Sequence, residues 1–139
     1  MTDTAQSEVA AEIDSSVVHV STVVPHPLDH VWRVINSPQG VQTLLGAGAK
    51  LGGKGEPWRA EDGSHGVLRS YHPLEQIRVS WHPDGDGPVS LVDLHVVSEQ
   101  GQTRVDLRHE HLTKAGLDIQ VLATRWTEAL ERLSVLTSG

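Results

Sequence analysis

The clearest pattern in the chain is a strict alternation near its end. From Thr103 to His111 the residues Val105, Leu107, His109 and His111 go one way, while Arg104, Asp106, Arg108 and Glu110 go the other. Successive side chains of a strand point to opposite faces, so the spacing predicts a half-buried strand with its charged face in water. Both histidines then face inward. Val89 to Val97 repeats the pattern through Val92, Leu94 and Val96, and Glu99-Gln100-Gly101 turns the two segments into a hairpin. Gln76 to His82 alternates as well, with Ile77, Val79 and Trp81 on one face. His65 to His72 is the strand before it, turned by Pro73; there Arg69 and Tyr71 share a face and form a candidate donor pair. Trp58 lies in a shorter strand upstream. Val17 to Val24, β-branched and apolar, is a first strand closed by Pro25 and Pro27.

Three segments change period. Leu28, Val31, Trp32 and Ile35 fall at i, i+3, i+4 and i+7, a helical stripe whose first turn tolerates Pro27. Ser37 as N-cap and Pro38 behind it open a second helix, with Val41, Leu44 and Leu45 on its apolar face and Gly46 and Gly48 at its end. Leu117 to Leu136 is the longest helix: Leu122, Trp126, Ala129, Leu130, Leu133 and Leu136 share one broad apolar face. Glu128 and Arg132 make an i, i+4 pair on its polar side. Strand, two helices, a run of antiparallel strands and a long helix make an α+β domain, because a sheet apolar on one face needs a helix laid across it. Met1 to Ser16 has few apolar residues and no period, which predicts a disordered tail before a domain spanning residues 17–139.

Composition narrows the chemistry. A chain of 139 residues sustains one hydrophobic core without staples. Cysteine is absent, which removes disulfides, thiol catalysis and cysteine-bound zinc. The net charge is −7, with 18 acidic residues against 11 scattered basic ones. A nucleic-acid surface needs clustered cations, so that class is excluded. The start is polar and acidic, unlike a signal peptide, and no run approaches the roughly 18 apolar residues of a membrane span. A cytoplasmic location with no membrane partner is the expectation. Phenylalanine is missing, yet there are four tryptophans, Trp32, Trp58, Trp81 and Trp126. Such large rings either fill the core or line a cavity, and each brings an N–H that needs an acceptor.

His109 and His111 are the main candidates for chemistry. Same-face neighbours on a strand sit about 7 Å apart, close enough to flank one ligand or share a metal. Zinc would need a further ligand, from His72 or His82. The plain reading has both imidazoles hydrogen-bonded at a polar cavity mouth, and it leads. His26 and His30 read as a solvated helix start. Asp84-Gly85-Asp86-Gly87 is a turn, since Pro88 breaks a calcium loop. Lys50 to Gly55 lacks the spacing of a phosphate loop and reads as a flexible loop by the cavity.

The ordered set of segments resembles the START-like (SRPBCC) superfamily, and within it the homologues of the heat-shock-protein-90 ATPase activator. The likeness is carried by Pro27-Leu28-Asp29-His30-Val31-Trp32, by the strand from Gly66 to Pro73, and by Ile77-Arg78-Val79-Ser80-Trp81. Thr103-Arg104-Val105-Asp106-Leu107-Arg108-His109 and Trp126-Thr127-Glu128-Ala129-Leu130-Glu131-Arg132-Leu133 complete it. The resemblance implies a helix-grip fold: a curved antiparallel sheet of six or seven strands wrapped around the long C-terminal helix, two short helices after strand 1, and a cavity between sheet and helix. It does not imply one activity, because members bind lipids, hormones or polyketides and some are enzymes. Arg125 stands where the family often has glycine, and Leu44-Leu45-Gly46 where it usually has a tryptophan.

The expected function is binding of a small hydrophobic molecule in that cavity. Trp81, Leu107, Leu122 and Trp126 form its walls, and His109 and His111 orient a polar group of the ligand. No catalytic residue, metal or cofactor is assigned. Two alternatives use the same chain. One is a cofactor-free enzyme of cyclase, dehydratase or hydrolase type with an inward histidine as general base. The other is an interaction module acting on a chaperone or regulatory protein. A homodimer or a chaperone partner stays open beside the small apolar ligand.

Overall fold

The alternating segments pair into one sheet. A computed structural model describes residues 9–13, 16–83, 89–112 and 118–138. Its strands are β1 (Ala10–Ile13), β2 (Val18–Val24), β3 (Pro57–Arg59), β4 (His65–His72), β5 (Gln76–Trp81), β6 (Ser90–Glu99) and β7 (Gln102–Glu110). Helices α1 (Leu28–Ile35) and α2 (Pro38–Leu45) follow β2, and α3 (Ile119–Ser138) follows β7. The seven strands run in the order β1-β2-β7-β6-β5-β4-β3, every neighbouring pair antiparallel. This is the expected α+β grip, at seven strands.

The inner face is set by the alternation. Val18, Val20 and Val24 of β2, Val92, Leu94 and Val96 of β6, and Val105, Leu107 and His109 of β7 are all buried. The outer face is a lattice of polar contacts, among them a His19–Asp106 hydrogen bond at 3.0 Å and the ion pairs Arg104–Asp106 at 3.0 Å and Arg108–Glu110 at 3.3 Å. Exposed pairs of this kind contribute little stability. Their effect is to keep that face in water, so the helices among the described residues are left to cover the other one. α3 lies across β2 and β1 and packs against α1 and α2.

Several local expectations are corrected. Ala10–Ile13 pairs with β2, from Ala10 opposite Ser21 to Ile13 opposite Val18, so the stretch read as a disordered tail contains a strand. Backbone hydrogen bonds to the open edge of β2 hold it, and local composition does not register them. β4 carries a bulge: Leu68 faces Val79, but Ser70 faces Arg78, leaving Arg69 as the extra residue. A bulge reverses the alternation beyond it. Arg69 and Tyr71 therefore form no donor pair; Tyr71 donates to Asn36 Oδ1 at 2.8 Å and its ring tilts onto Trp32. His30 is not merely solvated. Its Nε2 donates to the Thr137 carbonyl at 2.8 Å, satisfying the end of α3, which runs to Ser138 instead of stopping at Leu136. The Glu128–Arg132 pair does not form. The expected start of this helix at Leu117 and the Asp84–Gly87 turn lie outside the described residues.

Gly66 shows how tightly the β3–β4–β5 end is drawn. Trp58 Nε1 donates to the Ser80 carbonyl at 3.2 Å, directly over Gly66. A Cβ at position 66 would overlap the Ser80 carbonyl and press on the Trp58 ring. Gly66→Ala is expected to destabilise the domain by roughly 1–3 kcal/mol, the usual penalty for overpacking. Urea denaturation checks this; an unchanged midpoint would mean that β4 and β5 part at no cost.

Candidate functional site

Register builds the floor of the site. Ile77 of β5 faces Leu94, and Leu94 faces Leu107; one step along, Val79 faces Val92, and Val92 faces His109. Over the Ile77, Val79, Val92, Leu94 and Leu107 floor sit Ile35 of α1, Val41, Leu44 and Leu45 of α2, Leu51, and Trp126 of α3. Together they enclose a cavity of about 30 Å³ in which every lining residue is apolar. That is space for about one water, against several hundred Å³ in ordinary ligand pockets. The side chains of α2 nearly fill the hollow.

Two of the expected wall residues line this cavity, Leu107 and Trp126. Trp81 and Leu122 are buried, at 3% and 4% exposure, but stand beside it rather than in its wall. The missing wall is the apolar face of α1 and α2. Its periodicity marked that face as buried without saying against what.

The two histidines part company. His109 is fully buried, as alternation requires. His111 is exposed: β7 ends at Glu110, and His111 takes a left-handed φ of 68°. The chain there turns so that Leu112 can bury itself, its N–H donating to the Ser16 carbonyl at 3.0 Å. The expected inward His109–His111 pair therefore does not exist. Nor do His72 and His82 converge on His109; His82 stacks on His65, with ring centroids 4.9 Å apart. Among the described residues no cluster of three metal-ligating side chains occurs.

His109 instead sits in a closed chain of hydrogen bonds. Trp126 Nε1 donates to His109 Nδ1 at 3.0 Å, which places the imidazole proton on Nε2. Nε2 donates to Ser90 Oγ at 2.7 Å, and the Ser90 hydroxyl donates to the Trp81 carbonyl at 3.0 Å. Trp81 and Trp126 also set their rings edge-on to the imidazole, at 4.9 and 5.6 Å. Burial, helped by the nearby Arg125 charge, pushes the His109 pKa down to about 3. The ring is neutral with both nitrogens occupied. Ser90 is the partner that sequence reasoning missed; it stands opposite Trp81 in the β5–β6 register, where a hydroxyl is the first inward polar residue of β6.

Arg125 seals the adjoining end. Its guanidinium lies over Trp81 and Trp126, 5.5 and 5.3 Å from the ring centroids, a cation–π arrangement. One amine donates to the Leu45 carbonyl at the end of α2 at 3.1 Å, and the other to Asp62 Oδ2 at 3.2 Å. Burial raises the Asp62 pKa, but the Ser64 hydrogen bonds and Arg125 outweigh it and hold the carboxyl below its ordinary value.

A seven-stranded sheet gripping a long helix over an apolar hollow defines a START-like helix-grip domain. A family model for "Activator of Hsp90 ATPase homolog 1-like protein" matches residues 25–138, and the chain belongs to that family. Among solved structures, CalU16 from Micromonospora echinospora has a TM-score of 0.75 at 19% identity, covering 94% of this chain and 83% of that one. DynU16, from the dynemicin biosynthetic locus, has a TM-score of 0.73 at 22% identity over 86% of this chain; the match spans 46% of DynU16. MLL2253 from Mesorhizobium loti has a TM-score of 0.74 at 16% identity, covering 88% and 96% of the two chains. Likeness at such identities speaks for the fold alone. No curated protein sequence matches significantly. Among the described residues, no helix is long and apolar enough to cross a membrane.

Proposed function

We propose that the domain holds a small apolar molecule between α2 and the sheet, where the hollow now lies. The observation that carries this reading is an internal cavity lined only by apolar side chains, drawn from both short helices, β5, β6, β7 and α3. At about 30 Å³ it admits no ligand unless α2 lifts. α2 has only eight residues, and lifting it would break the Arg125–Leu45 and Glu61–Ala47 hydrogen bonds at its end while leaving the strand pairing of the sheet intact. Leu107 and Trp126 would contact the ligand, with Leu44 and Leu45 closing over it. Trp81 and Leu122 would support that wall from behind.

The acid–base alternative draws no support from His109, whose lone pair is taken by Trp126 and which does not line the cavity. A general base has to reach the proton it removes.

Native mass spectrometry of protein purified from its own host should show one retained small molecule. Protein stripped of it should bind the neutral probe N-phenyl-naphthylamine with a rise in probe fluorescence. A clean protein mass together with no probe binding would sink the reading. Val92→Leu adds one methylene to the cavity floor. It is expected to weaken probe binding about tenfold, at a stability cost of no more than about 1–3 kcal/mol.

A further inference from the structure

Outside the apolar hollow, a second and polar groove of about 470 Å³ runs between the end of α2, the β3–β4 turn and α3. Gln42, Thr43 and Gly46 form one side, Asp62 the rim, and Arg125, Ala129 and Arg132 the other side. Residues 125, 129 and 132 lie on one stripe of α3, so the buried Ala129 is a small floor between two guanidinium groups. The balance of charge is unusual for a chain of net charge −7. Asp62 offsets Arg125, whereas Arg132 is exposed and has no ion-pair partner among the described residues. Glu128, one turn away, does not take that place.

The groove and the hollow share a wall. Leu44 lines both, and Trp126, which lines the hollow, carries the Arg125 guanidinium on its ring. A molecule with an apolar body behind Leu44 would thus present its other end to Arg125 and Arg132. Arg125 ties α2 and the β3–β4 turn to α3, whereas Arg132 makes no such contact among the described residues.

We infer that this groove receives the anionic head, a carboxylate or phosphate, of an amphipathic ligand whose apolar body enters past Leu44. This rests on the ligand-binding reading above and adds the chemical class of the ligand. Guanidinium groups suit such oxyanions because their planar N–H forks match the paired oxygens. Arg125 is held ready by Leu45 and the two indoles, and Arg132 supplies the unpaired charge.

The test compares two probes with the same apolar body, anilinonaphthalene sulfonate and N-phenyl-naphthylamine, which differ by the anionic group. Arg132→Gln is the variant of choice, since an exposed and unpaired side chain contributes little to folding. Wild type should bind the sulfonate more tightly than the neutral probe. Arg132→Gln should weaken the sulfonate about tenfold, the low end for a hydrogen bond to a charged group, and leave the neutral probe within about twofold. Arg132→Lys should recover part of the loss. Unchanged sulfonate binding in Arg132→Gln, or an equal loss for both probes, would overturn the inference while leaving the apolar site standing. Binding of neither probe to wild type would remove the ligand-binding reading itself, and this inference with it. Inorganic phosphate alone, if it binds as tightly as the sulfonate probe, would assign the groove to a free anion and also overturn it.

Discussion

Trp126→Ala is expected to lose about 3–5 kcal/mol of folding stability, the usual range for removing a large buried aromatic side chain. Trp126 is fully buried, packs edge-on to Trp81 and His109, supports Arg125 and walls the cavity. Its loss would merge its own volume with the hollow beside it and leave His109 Nδ1 without a donor. Against a typical total of about 5–15 kcal/mol, such a loss leaves the domain largely unfolded on moderate warming. Trp126→Phe separates the two contributions. It keeps most of the apolar area and removes the N–H, so it should cost only the roughly 1–3 kcal/mol of an orphaned buried acceptor. Urea denaturation followed by circular dichroism reads both. A loss below about 1 kcal/mol for the alanine variant would mean that Trp126 borders open space instead of filling it.

Acid should destabilise the protein through the buried His109 imidazole. The unfolded chain takes a proton on this ring near the ordinary 6.5, whereas the folded one refuses it until about pH 3. Between those values the unfolded state binds more protons, so stability rises with pH. The contribution of His109 is complete above about pH 6.5 and is lost as the pH falls toward 3. Relative to neutral pH the loss is about 2 kcal/mol at pH 5 and about 3 kcal/mol at pH 4. His109→Gln begins less stable at neutral pH, because glutamine cannot bridge Trp126 and Ser90 as the ring does. It should then show a flatter decline. The low-lying Asp62 carboxyl acts in the same direction but only at lower pH, and it is common to both proteins. Urea midpoints at pH 7, 5 and 4 decide the matter. Parallel curves for wild type and His109→Gln would show that the folded protein accepts the proton.

Much of the architecture is legible in periodicity. A period of two placed Val105, Leu107 and His109 on the buried side of β7, and a helical period placed Leu122, Trp126, Leu130 and Leu133 on the buried side of α3. The proline and glycine punctuation around α1 and α2 located both helices to within a residue or so. These signals are local, since each residue reports its own preference for water or for the interior. The site is less legible. His111 continued the alternation on paper, but the turn that buries Leu112 swung it out. Arg69 and Tyr71 alternated likewise until a bulge, visible only in the pairing of β4 with β5, reversed the faces.

The side-chain network shows where periodicity stops. Ser90, His109 and Trp126 come from three elements, and only strand register and the lie of α3 bring a hydroxyl, an imidazole and an indole within hydrogen-bonding distance. Arg125 reaches Asp62 across 63 positions in the chain and Leu45 across 80. A hydrophobic period says that a side chain turns from water; it carries no information about the distant group that will meet it. That choice belongs to packing, because most buried polar atoms take a partner from whatever neighbours the assembled layers provide.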